Sequence, residues 1–257
     1  MFLGGIVPGV LLVVLTAVWG IRQGSSDYAA TQTFDVREAS AALWTAKWEL
    51  LLPFVALAAM FGGFATPVEA AALTALYAFI IETFIHRDLS ITRNVPDVMA
   101  ECGLLVGGVL LILGVALGFT NYLVDAQVPT RALDWATASI HSPLVFLALL
   151  NLFLLVIGCL MDIFSAIVVV VPLIVPLGVA FGIDPVHLGI IFLANLELGY
   201  LTPPVGMNLF LSSYRFGEPL PTVYRSVVPM LLVLLFGVLL ITYIPAMTVA
   251  LPQWLAR

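Results

Sequence analysis

From Pro143 to Phe181 the chain carries one charged side chain, Asp162, in a run of about 39 residues. At 1.5 Å rise per residue, a continuous helix of that length measures roughly twice the ~30 Å hydrocarbon core of a bilayer. One straight spanning helix is therefore excluded. The middle of the run reads Gly158-Cys159-Leu160-Met161-Asp162. A glycine that can end a helix comes first, and an Asp that can cap the next one follows four residues later. Two readings are open: two full spans with a turn at the far surface, or a re-entrant hairpin whose tip stops inside the bilayer. The tip, through Ile163 and Phe164, is very apolar for a surface turn. A tip inside the membrane must be shielded by protein or line a cavity, because lipid cannot satisfy its backbone groups.

Five other apolar segments share this character: Phe2–Ile21, Leu50–Ile85, Val98–Val124, Pro185–Tyr214 and Tyr224–Val249. Only 9% of residues are charged and 62% are hydrophobic, where a soluble domain is usually about a quarter charged. The fold class is thus all-α, a polytopic membrane protein with a polar loop at 22–48. The first segment has neither a basic leader nor a clear cleavage site and reads as a span rather than a signal peptide. The nine Lys and Arg are dispersed, so no nucleic-acid partner is expected. Cys102 and Cys159 lie far apart in apolar runs, and His86, His141 and His187 sit at segment boundaries, so no disulfide framework or metal cluster is expected. Phosphate-binding, Gly-x-Ser-x-Gly and His-Glu-x-x-His motifs do not occur. The chain does not read as an enzyme.

Two interruptions echo each other. Gly63-Phe64-Ala65-Thr66-Pro67 and Gly199-Tyr200-Leu201-Thr202-Pro203 both read Gly-aromatic-x-Thr-Pro. Each predicts a helix ending at the glycine and a new one starting with Thr as N-cap and Pro at the first position. They differ three residues on. Glu69 completes a capping box after Thr66, whereas Val205 and Gly206 follow Thr202. A helix start exposes unpaired N–H groups and partial positive charge. The second start is left available for an anionic group, and the carbonyls before it for a cation, a pairing that transporters use at discontinuous helices. Pro and Gly also kink ordinary membrane helices, and that plainer reading stands beside the first.

Asp162 is an ionisable group within an apolar run, a functional hypothesis by default, and it can also serve as a helix cap. No Lys or Arg lies within the apolar cores, so a mobile cation is its natural partner. Glu197 points to a different helix face from Asn195 and Gly199. Counting basic residues, Arg22, Arg37, Lys47, Arg131 and Arg257 fall on one side of the membrane. Arg87, Arg93, Arg215 and Arg225 fall on the other, in short loops. Short loops are where the positive-inside rule is most reliable, so 86–97 and 216–225 are expected in the cytoplasm.

The stretches GGFATPVEAAALTALYAF, GCLMDIFSAIVVVVPLIVPLGVAFGIDPVHLGIIFLANLELGYLTPPVGMNLFLSS and ITYIPAMTVALP resemble the large membrane subunit of the tripartite ATP-independent periplasmic (TRAP) transporters, in order along nearly the whole chain. The resemblance implies a secondary transporter of organic acids, C4-dicarboxylates or related carboxylates, in a bacterial inner membrane. It implies Na⁺ as coupling ion, no cofactor, and two partners: a small membrane subunit and a periplasmic solute-binding protein. It also implies an elevator built from inverted repeats, of which this chain holds the second. Residues 1–124 would be scaffold-like, 125–223 a transport-type unit with the hairpin at 143–181 and the broken helix at 185–214, and 224–257 a C-terminal helix. Asp162, Gly158, Gly199, Thr202, Gly206 and Met207 would form a Na⁺ site. Thr202, Pro203, Pro204, Gly206 and Asn208 would face the substrate carboxylate. The family's large subunit is much longer, and this chain resembles its C-terminal part. The alternatives are another ion-coupled transporter or exchanger, or a non-transporting fragment that needs a missing first half.

Overall fold

A computed structural model describes residues 2–23, 35–63 and 65–255, and among them no β-strand forms. The protein is an all-α, multi-pass membrane protein, and among the described residues six helices are long and apolar enough to cross a bilayer. The described residues fall into two compact units, Ser26–Gly108 and Met1–Ser25 with Val109–Arg257.

The smaller unit starts with α1's successor, α2 (Val36–Thr45), after α1 itself (Phe2–Gln23) in the larger unit. Asp35 caps α2, its Oδ1 accepting from the Arg37 N–H at 2.8 Å. The expected loop at 22–48 is therefore partly helix; residues 24–34 lie outside the described ones. α3 (Lys47–Phe61) ends at Gly62, and Gly63 takes φ +71, the left-handed turn that glycine permits at a helix end. Phe64 of the first Gly-aromatic-x-Thr-Pro motif lies outside the described residues. α4 (Pro67–Ile80) opens with the capping box: Thr66 N–H donates to Glu69 Oε2 at 2.7 Å, and Glu69 N–H to Thr66 Oγ1 at 3.4 Å.

The chain reverses at this break. Tyr77 Oη donates to the Trp48 carbonyl at 2.9 Å, and His86 Nε2 lies 3.4 Å from Glu49 Oε1. These contacts join the start of α3 to the end of α4 and to the π-helical turn Ile81–His86 that extends it, so the two helices are antiparallel arms of a hairpin. This corrects the side count: Lys47 and Arg87 lie at the same end of the unit, not on opposite sides. A capping box specifies that a helix begins, not the direction in which it leaves. α5 (Asn94–Asp125) then runs 32 residues, and α6 (Val128–Ser139) follows.

In the larger unit α7 (Pro143–Leu160) and α8 (Ile163–Ala180) form the second hairpin. Phe146, near the start of α7, stacks on Phe181, just past α8, at 4.4 Å between centroids. The run from 143 to 181 thus folds back on itself. Pro172 in α8 has no N–H for the carbonyl four residues earlier; Thr120 Oγ1 of α5 donates to that carbonyl, Val168 O, at 3.0 Å. α9 (Pro185–Gly199), capped by Asp184, packs parallel to α7. Leu150, Leu154, Ala166, Val170, Leu188 and Ile191 interlock between α7, α8 and α9.

α10 (Met207–Phe216), α11 (Leu220–Tyr243) and α12 (Ala246–Leu255) complete the fold. The last apolar segment therefore begins earlier than expected and breaks at Ile244–Pro245. Its break is stitched by a side chain from α9. Buried His187 places Nδ1 2.8 Å from Thr248 Oγ1 and Nε2 3.1 Å from the Thr242 carbonyl. α1 closes onto this end through small residues: a Cβ on Gly237 would stand 2.7 Å from Leu12, and one on Gly4 2.7 Å from the Thr248 carbonyl. Between membrane helices apolar surface gains little from association, so close approach at small residues and interhelical hydrogen bonds hold such contacts.

Candidate functional site

α7 and α9 meet at two glycines. A Cβ on Gly199 would stand 2.5 Å from both the carbonyl carbon and the Cα of Gly158, and 2.9 Å from its oxygen. A Cβ on Gly158 would in turn stand 3.1 Å from Leu196 Cα and 3.2 Å from Gly199 Cα. The tip of the second hairpin and the end of α9 are thus in backbone contact. Gly199 ends its helix without left-handed φ; the missing side chain serves the approach to Gly158 instead.

Past Gly199 the chain is irregular through Tyr200–Gly206. Here the expected restart is corrected. Thr202 does not cap a new helix, and Pro203 is not its first residue; α10 begins at Met207 with Gly206 as N-cap. Thr202 looks backward: its Oγ1 donates to the Leu198 carbonyl at 2.9 Å and its N–H to the Gly199 carbonyl at 2.9 Å. Leu201 N–H also donates to Leu198 O, at 3.0 Å. The threonine ties off the end of α9. Pro203 and Pro204, joined by a cis peptide, supply no N–H groups with which to open another helix.

The gap turns its carbonyls inward at Gly206. A Cβ there would stand 2.8 Å from both Tyr200 O and Thr202 O and 3.0 Å from Leu209 Cδ1. Gly206 is buried. Only glycine leaves these two oxygens accessible from that side. Tyr200 O also accepts from Asn208 N–H at 3.2 Å, so α10 folds back over the gap. Its start has no side-chain cap and no acid in its first turn, unlike the start of α4. Tyr224 of α11 closes the outer side, donating from Oη to Pro204 O at 2.7 Å.

Asp162 caps α8. Its Oδ2 accepts from Phe164 N–H at 2.9 Å and Ser165 N–H at 3.1 Å, and its Oδ1 accepts from Ser165 Oγ at 2.5 Å. The next free donor, Ile163 N–H, reaches Tyr200 Oη at 2.7 Å. The first turn of α8 is thereby satisfied by a tip carboxylate and by a phenol from the gap. Of the residues that sequence reasoning named, the fold brings Gly158, Gly199, Thr202 and Gly206 into one cluster of backbone. Asp162 is linked to that cluster through Ile163 and Tyr200, with its carboxylate turned to its own helix. Met207 and Asn208 open α10, with Met207 exposed; Pro204 lies at the rim. Glu197 is exposed on the face opposite to buried Asn195 and Gly199.

Sequence reasoning missed Tyr200 and a buried polar layer one turn behind the glycines. Asn195, 0% exposed, donates from Nδ2 to Asn151 Oδ1 at 2.7 Å and to Ile191 O at 2.9 Å. Asn151 Oδ1 also accepts from Thr242 Oγ1 at 3.0 Å, and Asn151 Nδ2 donates to Leu147 O at 2.7 Å. Asn195 Oδ1 has no partner among the described residues. The signal was available: Asn151 is the one amide in the apolar run of α7, and a polar group at such a site must find a partner on a neighbouring helix.

This cluster offers oxygen ligands of the kind a hard monovalent cation takes, beside an uncapped helix start suited to an anion. Comparison with known proteins bears on its use. The family described as "Tripartite ATP-independent periplasmic transporter, DctM component" matches residues 1–247. The C4-dicarboxylate TRAP transporter large permease protein DctM of Pseudomonas aeruginosa is 38% identical over 99% of this chain and 60% of its own length. The isethionate TRAP transporter permease protein DctMQ of Oleidesulfovibrio alaskensis is 34% identical over 96% of the chain and 39% of its own length. The sialic acid TRAP transporter large permease protein SiaM of Vibrio cholerae is 32% identical, with 98% and 59% covered. The chain thus spans about 60% of the length of most such relatives.

Proposed function

The chain belongs to the DctM component family of the tripartite ATP-independent periplasmic transporters, a family of transporters and not enzymes, and on that premise we propose that it forms the C-terminal part of a Na⁺-coupled organic-acid importer in a bacterial inner membrane. The substrate is a carboxylate, a C4-dicarboxylate or a relative of one, handed over by a periplasmic binding protein, and a small membrane subunit completes the assembly. The observation that carries the reading is the backbone contact between Gly158 and Gly199, which brings the hairpin tip against the irregular gap.

In this reading Na⁺ takes its oxygen shell from the carbonyls around Gly158, Gly199, Thr202 and Gly206, with Met207 at the edge. Asp162 supplies negative charge from the tip while its hydrogen bonds fix the first turn of α8. The uncapped start of α10, at Gly206–Asn208, faces the substrate carboxylate beside Thr202 and the Pro203–Pro204 rim. With no basic side chain at this depth, bound Na⁺ and the helix start offset the carboxylate's charge. The tip is polar backbone between apolar arms, and the contact with α9 gives it the protein shield that a re-entrant segment needs. Arg37, Lys47, Arg87 and Arg93, gathered toward one end of the smaller unit, support a cytoplasmic position for that end.

The test is uptake in proteoliposomes that contain the chain, the N-terminal portion of a relative, the small subunit and the binding protein. Asp162→Ala abolishes Na⁺-dependent uptake and leaves membrane insertion intact. Unchanged Na⁺ dependence in that variant removes Asp162 from the site.

A further inference from the structure

α2 has no buried residue, although it carries apolar side chains in a helical pattern. Val36, Ala39 and Leu43 recur at i, i+3 and i+7 and so share one side, with Glu38 and Thr45 opposite. Val36 is 69%, Leu43 60% and Trp44 72% exposed. The helix does not continue into α3. Their axes bend by 62°, with Ala46 alone between them. If α3 stands along the membrane normal, α2 is inclined by only about 30° to the membrane plane.

The bend lies where the apolar arms of the hairpin end. Trp48 is bonded to Tyr77 and Glu49 sits beside His86, and the left-handed Arg87 then ends the apolar arm. At this level Lys47 Nζ stands 4.1 Å from the centroid of Trp44 and 5.3 Å from that of Trp48. A cation held against two indoles on a long aliphatic stem suits the headgroup region, where amphipathic rings and snorkelling lysines collect. Formal charge at this end is net acidic, since Asp35, Glu38, Glu49, Glu82, Asp88 and Asp97 outnumber Arg37, Lys47, Arg87 and Arg93. Acidic lipid is therefore not what this end recognises; apolar contact and the indole–ammonium cluster are.

We propose that α2 docks onto the lipid–water interface of the bilayer, with Val36, Ala39 and Leu43 toward the acyl chains and the Trp44–Lys47–Trp48 cluster anchoring the α3–α4 hairpin at headgroup depth. The proposal stands whether or not the chain transports. Its test is a full-length chain in which Trp19, Trp48, Trp135 and Trp254 are replaced by Phe, reconstituted in nanodiscs with brominated lipids. Trp44 fluorescence is quenched at least about twofold more by bromines near the acyl carbonyl than by bromines near the terminal methyl, as for a helix lying in the interface. Replacing phosphatidylcholine by phosphatidylglycerol leaves the profile unchanged.

Three outcomes overturn the proposal: strongest quenching by the deep bromines, full quenching by aqueous acrylamide with none by lipid, or protection from both. The last means that a protein partner covers the face. Should the fourfold replacement fail to fold, a nitroxide on Leu43→Cys in a Cys102→Ser background decides the matter. Oxygen accessibility exceeding nickel accessibility at shallow depth supports the proposal, and the reverse refutes it.

Discussion

The Gly158–Gly199 contact gives a ranked prediction. Gly199→Ala places a carbon 2.5 Å from two backbone atoms of Gly158. Carbon atoms at rest sit about 3.5–4.0 Å apart, so α7 and α9 must separate by about 1–1.5 Å. The obstructing atoms are backbone and cannot rotate away, as the end of a long side chain could. Overpacking of this kind costs about 1–3 kcal/mol, and the upper part of that range applies here. Replacing glycine by alanine in a helix returns at most about 1 kcal/mol. The net loss is about 2 kcal/mol, or roughly 4–8 °C in Tm for a unit of this size. Gly158→Ala, whose added carbon stands 3.1 and 3.2 Å from its nearest backbone neighbours, loses less. Gly9→Ala, with nothing within 4 Å, loses nothing. The assay is thermal unfolding of the purified chain in one detergent, with a Na⁺ titration on each variant. The Na⁺-induced rise in Tm shrinks in the same order. A Gly199→Ala variant as stable as Gly9→Ala would refute the close approach and, with it, the site built on it.

Two further outcomes follow from hydrogen bonds. Asn151→Leu strands one N–H of the buried Asn195 amide, while the Thr242 hydroxyl keeps the Val238 carbonyl as acceptor at 2.8 Å, and lowers stability by about 1–3 kcal/mol; the Asn151→Leu/Asn195→Leu double variant recovers part of that loss, because removing both partners leaves no stranded amide. Strict additivity in unfolding experiments would dissolve the network. Tyr200→Phe removes the acceptor of Ile163 N–H, costing about 1 kcal/mol, and speeds amide exchange at Ile163 while leaving Phe164 and Ser165 protected by Asp162; unchanged exchange at Ile163 would break the link between gap and tip.

Much of the fold was legible where the cause is local. The apolar run from Pro143 to Phe181, charged only at Asp162, had to bend, and Gly158 and Asp162 marked where. Thr66 and Glu69 announced a capping box that forms, and the second break lacked one, as its helix does. The side count failed because nothing near Gly63 records whether the next helix continues or returns. That is decided by Tyr77 meeting Trp48, 29 positions away. The restart at Met207 was missed because Thr202 is tied back to α9 through its hydroxyl and its N–H, and Pro203 and Pro204 supply no N–H with which to open a helix ahead.

The sequence by itself determined an all-α chain of membrane spans, its break points, and the contrast between a capped and an uncapped helix start. Each follows from apolar length or from groups within about a turn of one another, and lipid enforces them because it offers no hydrogen bonds. Only the tertiary structure decided which breaks meet. Asn151 and Asn195 are separated by 44 residues and Asn151 and Thr242 by 91. Their union depends on two glycines that let α7 and α9 approach within backbone contact, a condition that neither helix expresses alone.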